Sequence, residues 1–250
     1  MTTTLAITGK SGSGKTTVTK AFMNIFKEMF PEKSILLFDN DLTSELGHSF
    51  GHDIRNTIYG IRSGKHEYKT GIPENMSKQE FVEWALEDIV VSLDDNVDII
   101  VSWLVPSKDC RCPITGQIND AVKKFINRYD IVIFDCEFDL KYLNQLVDIE
   151  IDTTLIVANP TEESAHLAKR IEEFSAKYAA GGQLGVVINK AENTEMYKIS
   201  EILKKYDLDV LGVIPYDKDI EIVTRNSAKI QDSIKQFYFR LNLPQGENGK

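Results

Sequence analysis

The sequence is short of what marks several protein classes. Lysine and arginine number 29 against 38 acids, a net charge of -9. Such a chain lacks the basic surface that contacts with a phosphate backbone require, so no nucleic-acid partner is expected. No apolar run approaches the ~20 residues of a membrane-spanning helix, and no membrane span is expected. Met1 to Ile7 carry neither a basic region nor a long apolar stretch of the secretory kind. The cytoplasm is therefore the expected compartment. Cysteine is scarce, with Cys110, Cys112 and Cys136 alone. So small and odd a number argues against a disulfide framework and leaves burial, redox chemistry or metal binding. There is no internal repeat and no low-complexity linker.

What is present is an alternation. Thr3–Thr8, Ser34–Phe38, Asp98–Trp103, Ile131–Phe134, Thr153–Ala158, Gly185–Ile188 and Val210–Ile214 read as short buried strands. Helical spacing marks Lys15–Phe30, Lys78–Leu93, Gln117–Asn127, Glu162–Tyr178, Glu195–Lys205 and Ala228–Leu241. Strands and helices in turn predict right-handed crossovers. The expected fold is α/β, a doubly wound, mostly parallel sheet of seven or eight strands with helices on both faces. Its 250 residues fit a single domain over 1–243, with a flexible tail over 244–250. Gly47–Pro73 is the least regular stretch and reads as a mobile surface segment with a short helix. The stripe Ile230, Ile234, Phe237 and Leu241 predicts that the last helix closes the core rather than lying on a membrane.

The strongest motif is Gly9-Lys10-Ser11-Gly12-Ser13-Gly14-Lys15-Thr16-Thr17, set between a strand and a helix. It satisfies G-x-x-x-x-G-K-[ST] in the context the motif requires. The glycines let the backbone curl so that its N–H groups point inward, and the helix adds its positive end. Lys15 reaches terminal phosphates, and the Thr16 hydroxyl can ligate Mg²⁺. ATP or ADP with Mg²⁺ is the expected ligand. Lys10 marks the deviant Walker A class, whose stricter form has glycine where Ser11 stands. Ser11-Gly12-Ser13 also fits the loop of uridine-kinase-type phosphotransferases, and the loop alone does not separate the two.

Further candidates fall at the carboxyl ends of predicted strands, where ligands bind in open α/β sheets. Asp39-Asn40-Asp41 follows the second strand, where a carboxylate can position water or a Mg²⁺-bound water. Asp135 closes the Ile131–Phe134 strand as a Walker B acid would. Asn189 could read an adenine edge, and Pro215 and Asp217 would form the other side of a base pocket.

With these residues in place, the chain resembles the superfamily of MinD, ParA and the nitrogenase iron protein. Within it, the chain is most similar to the CooC-type accessory ATPases that mature nickel carbon monoxide dehydrogenase. The likeness rests on the Lys10-bearing loop, on Asp39-Asn40-Asp41, and on Pro106-Ser107-Lys108-Asp109-Cys110-Arg111-Cys112-Pro113. Asp135, Asn189 and Ile214-Pro215-Tyr216-Asp217 follow in order, so the likeness spans the whole chain. One departure is Asp135-Cys136-Glu137-Phe138-Asp139, where Asp139 replaces a glycine and adds bulk and negative charge.

The resemblance implies an ATPase that works as a nucleotide-dependent homodimer, with Lys10 reaching the partner's phosphates and Asp41 orienting the attacking water. Two thiolates from one chain cannot complete a four-coordinate soft site, whereas a two-fold dimer supplies four. The resemblance implies Ni²⁺ or Zn²⁺ held there by Cys110 and Cys112, and a CO dehydrogenase-like client. Two ordinary loop cysteines are a competing reading, a [4Fe–4S] cluster across the interface is a third that the C-x-C spacing argues against, and Cys136 reads as buried. His48 and His52 read as solvated loop histidines. Two other functions stay open: a positioning ATPase of the MinD/ParA type, and a P-loop nucleoside kinase.

Overall fold

The computed structural model describes residues 1–41, 43–63, 72–102, 115–136, 151–175, 182–192, 201–202, 204–220 and 227–246. The stretch Pro106–Pro113 with Cys110 and Cys112, and the switch residues Glu137 to Asp139, lie outside the described residues. Most of the expected Glu195–Lys205 helix does as well.

The described strands are β1 (Thr3–Gly9), β2 (Ile35–Asn40), β3 (Val91–Asp94), β4 (Val97–Val101), β5 (Ile131–Cys136), β6 (Thr153–Ala158), β7 (Gln183–Ala191) and β8 (Val210–Pro215). The helices are α1 (Lys15–Met29), α2 (Glu45–His48), α3 (Ile58–Ser63), α4 (Lys78–Ile89), α5 (Thr115–Ile126), α6 (Glu162–Ser175) and α7 (Ala228–Tyr238). The strands form one sheet in the order β3-β4-β2-β5-β1-β6-β7-β8. Every pair is parallel except the β3–β4 hairpin. This is the doubly wound α/β fold expected from the alternation.

Both faces of the sheet are covered, which is why its inner strands read as unbroken apolar runs. Leu5 and Ile7 of β1, Leu37 of β2 and Ile133 of β5 pack with Val18, Phe22 and Phe26 of α1 and with Ile234 and Phe237 of α7. On the opposite face Phe38 and Phe134 pack with Val82 and Leu86 of α4 and Val122 of α5, their rings 5.2 Å apart. Ile156 and Val186 meet Ala168 and Ile171 of α6. Ile230, Ile234, Phe237 and Leu241 are all buried, so the last helix closes the core. Beyond it the Tyr238 hydroxyl donates to the Pro244 carbonyl at 2.7 Å.

Two expectations are corrected. The helix expected over Lys78–Leu93 ends at Ile89, because Val90 is extended and Val91–Asp94 pairs antiparallel with β4 as an edge strand. Leu93 packs on the α1 face while α4 packs on the other, so their shared helical spacing was coincidental. The described part of Gly47–Pro73 is not a surface segment throughout. Ile54 is buried on the α1 face, and Ile58 and Ile61 of α3 are buried beside α4.

Candidate nucleotide site

The site forms where β1 ends. The chain leaves β1 toward β2 on one side and later adds β6, β7 and β8 on the other, so a crevice opens at the carboxyl end of β1. Gly9 turns the chain there at φ +147°, and a Cβ on it would stand 2.2 Å from the Val157 carbonyl oxygen. Gly12 and Gly14 follow at φ +76° and +94°. The Ser13 N–H closes the turn onto the Lys10 carbonyl at 3.0 Å. A side chain at Gly14 would also strike Asn189 Nδ2 at 2.4 Å. Three positions therefore demand glycine for their backbone, and two of them for space as well.

α1 starts at Lys15 with no side-chain cap and no acid in its first turn. α4, by contrast, carries a full capping box between Ser77 and Glu80. A helix start left uncapped by side chains keeps its first N–H groups for a ligand, and a first turn without acids attracts an anion. Lys15 and Thr16 are nearly fully buried, and the Lys15 ammonium lies 3.5 Å from the Lys10 carbonyl. Lys10 itself is exposed and donates to Glu163 of α6 at 2.6 Å.

Asp39 and Asp135 occupy paired positions on the neighbouring strands β2 and β5. Both are essentially fully buried. Asp39 Oδ1 accepts the Asp41 N–H at 3.0 Å, while Asp39 Oδ2 and both Asp135 oxygens have no hydrogen-bond partner among the described residues. Burial pushes the Asp135 carboxyl up to about 7, against the pull of the Lys15 ammonium and the Thr16 hydroxyl. Asp39 is raised as well, by burial first and by the nearby Asp135 second. Two buried acids side by side, with three of their four oxygens lacking a hydrogen bond among the described residues, call for a further cation or a proton. Beside a phosphate loop they fit Mg²⁺, which takes one or two carboxylates and completes its shell with hydroxyl, phosphate and water oxygens. Among the described residues no group of three or more His, Cys, Asp or Glu side chains is placed to hold a metal by itself.

Asp41 is nearly buried, and its Oδ1 accepts from the N–H and the hydroxyl of Thr43, each at 2.8 Å. At the other edge of the loop, Asn189 donates to the Ser13 carbonyl at 2.7 Å. Lys190, in a left-handed conformation at φ 58°, donates to the Gly12 carbonyl at 2.7 Å. Asn189 thus braces the loop through its amide N–H. Pro215 ends β8, next to β7. Asp217 accepts from Ser227 at 2.5 Å and from the Asp219 N–H at 3.1 Å, bonds that hold its carboxyl below the usual range. Lys190, Glu163 and Thr43 escaped the sequence reading; only Lys190 carried a signal, its adjacency to Asn189.

Cys136 is buried at the end of β5, where burial drives its thiol well up. His48 lies on α2 and His52 after it, both exposed.

The loop, the uncapped helix and the paired acids define a P-loop nucleotide-binding protein with a parallel sheet. The chain belongs to the CobQ/CobB/MinD/ParA nucleotide binding domain family, whose profile matches residues 4–230. It is 27% identical over 225 residues to an uncharacterized ATP-binding protein of Methanocaldococcus jannaschii, covering 86% of each chain. Two solved structures share the fold. A ParA family ATPase from Chlorobium tepidum superposes with a TM-score of 0.69 at 15% identity, over 95% of this chain and 99% of that one. The septum site-determining protein MinD from Pyrococcus horikoshii, complexed with Mg-ADP, gives 0.65 at 19% identity, over 95% and 94%. No helix among the described residues is long and apolar enough to cross a membrane.

Proposed function

We propose that this protein is an ATP-hydrolysing switch whose triphosphate-bound form is a homodimer. The observation that carries the reading is the pair of buried carboxylates, Asp39 with one oxygen and Asp135 with both oxygens left without a hydrogen bond among the described residues, beside the uncapped start of α1. The triphosphate lies on the loop from Gly9 to Thr17, with Lys15 against its terminal oxygens. Asp39, Asp135 and Thr16 would hold Mg²⁺, directly or through water, and the ion supplies neutralisation of phosphate charge. Asp41 orients the attacking water. Its oxygen bonds to the γ-phosphorus, the bridging bond breaks, and ADP and phosphate leave. The Asn189 oxygen accepts from the adenine amino group, with Pro215 and Asp217 beyond it.

Lys10 crosses to the partner's phosphates, exchanging Glu163 for a more highly charged anion. That contact exists only with triphosphate bound, so nucleotide state sets the dimer equilibrium. Sedimentation with ATP, ADP or no nucleotide tests this, read together with phosphate release. Mass doubling with ATP alone is expected, and a monomer under all three conditions would overturn the switch.

The task we assign to the switch is metal-centre maturation in the cytoplasm. Cys110 and Cys112 of two subunits carry Ni²⁺ or Zn²⁺ as cargo for a CO dehydrogenase-like client. The C-x-C-P sequence and the acidic balance support this over a positioning role. Elemental analysis of anaerobically prepared protein should give about one metal per two chains, lost in Cys110→Ser. Metal content unchanged in that variant would remove the cysteine site. ATP-dependent co-sedimentation with liposomes or DNA would instead favour a positioning ATPase.

A further inference from the structure

Lys20 stands on α1, five residues beyond Lys15, and is 2% exposed. Burying an ammonium is costly unless something replaces its water. Its Nζ donates to the Ser49 carbonyl at 2.8 Å and lies 3.8 Å from the centre of the Phe50 ring. A carbonyl and a ring face both favour a cation. Ser49 closes α2, its N–H bonded to the Glu45 carbonyl at 3.0 Å and its hydroxyl to the Leu46 carbonyl at 2.7 Å.

From α2 the chain of bonds leads back to the acids. The His48 N–H donates to the Ser44 carbonyl at 3.1 Å, and the Ser44 N–H to the Asp41 carbonyl at 3.2 Å. Asp41 also holds Thr43 with its carboxylate, and its own N–H rests on Asp39. These bonds and the backbone of α2 together connect the phosphate helix, through Lys20, to Asp41. The two groups that would flank the γ-phosphate, Lys15 and Asp41, are thus joined by a buried ammonium in addition to the strands β1, β5 and β2 that carry them.

We infer that Lys20 is a positioning residue for hydrolysis, fixing where Asp41 stands relative to the phosphate loop. This rests on the reading of Asp41 as the group that orients water. An apolar side chain would fill the same space without the desolvation cost, so packing alone does not account for a charge there. Small displacements of a positioning group cost rate far more than affinity.

The test compares Lys20→Met, Asp41→Asn and the double variant with the parent, in ATP affinity by calorimetry and in kcat by phosphate release. Lys20→Met should lower kcat about tenfold while ATP affinity stays within about twofold. Added to Asp41→Asn, it should lower kcat no further, because its effect passes through Asp41. Equal losses of affinity and rate, or losses that multiply in the double variant, would overturn the inference. Should Lys20→Met not fold, Phe50→Leu carries the same expectation, a severalfold loss in kcat at unchanged affinity. A parent that binds ATP without hydrolysing it would overturn the proposed function itself. A parent that hydrolyses ATP normally, with multiplying losses in the variants, would overturn the Lys20 link alone.

Discussion

Asp135 is the residue whose environment most sharply constrains the chemistry. An acid raised to about 7 in the folded chain keeps a proton that the unfolded chain releases above ~4. Stability of the nucleotide-free protein therefore falls as pH rises between those values, and the full penalty is present above the higher one. Thermal melts at pH 5.5 and 8 should show this fall, and Asp135→Asn should reduce it, leaving the part that the buried Asp39 carboxyl contributes. At pH 8 that variant should melt higher than the parent, by roughly 1–2 kcal/mol of stability, yet bind Mg-ATP at least about tenfold more weakly. Gly14→Ala is the complementary change. With φ at +94° and Asn189 Nδ2 2.4 Å from the new carbon, it should distort the loop and weaken ATP binding about a hundredfold, measured by calorimetry. The motif residues were legible in the sequence because their spacing encodes a backbone shape. Lys20 and Thr43 were not, since their roles depend on what α2 places beside them.

Among the elements, α7 packs closely on β8. A Cβ at Gly212 would lie 2.1 Å from the Phe237 ring, so Gly212→Ala should cost about 2 kcal/mol in chemical denaturation while leaving ATP affinity nearly unchanged. The inner strands were legible because burial on both faces leaves unbroken apolar runs. β3 was not, because Leu93 falls four residues after Ile89 and so continues the helical spacing of α4. The signal that separates them is Asp94-Asp95-Asn96, polar residues between two β-rich stretches. The α2–α3 region was misjudged for a related reason. Ile54, Ile58 and Ile61 do stand at helical spacing, but the run is short, with Gly51 before it and Gly60 inside it, and all three are buried together with Leu46.

For the whole molecule, the account makes nucleotide state the control of assembly. Lys10 is held by Glu163 within its own chain, an exposed pair of the kind that gives way readily. Glu163→Gln should free it and lower the ATP concentration needed for dimerisation about two- to fivefold, as read by sedimentation. All of this depends on the phosphate loop binding nucleotide through the Lys15 ammonium. Calorimetric titration of Mg-ATP into the parent and into Lys15→Ala tests that dependence most directly. Saturable binding of one nucleotide per chain, weakened at least tenfold in the variant, is the result predicted. No heat with the parent, or equal affinity in the two proteins, would contradict it.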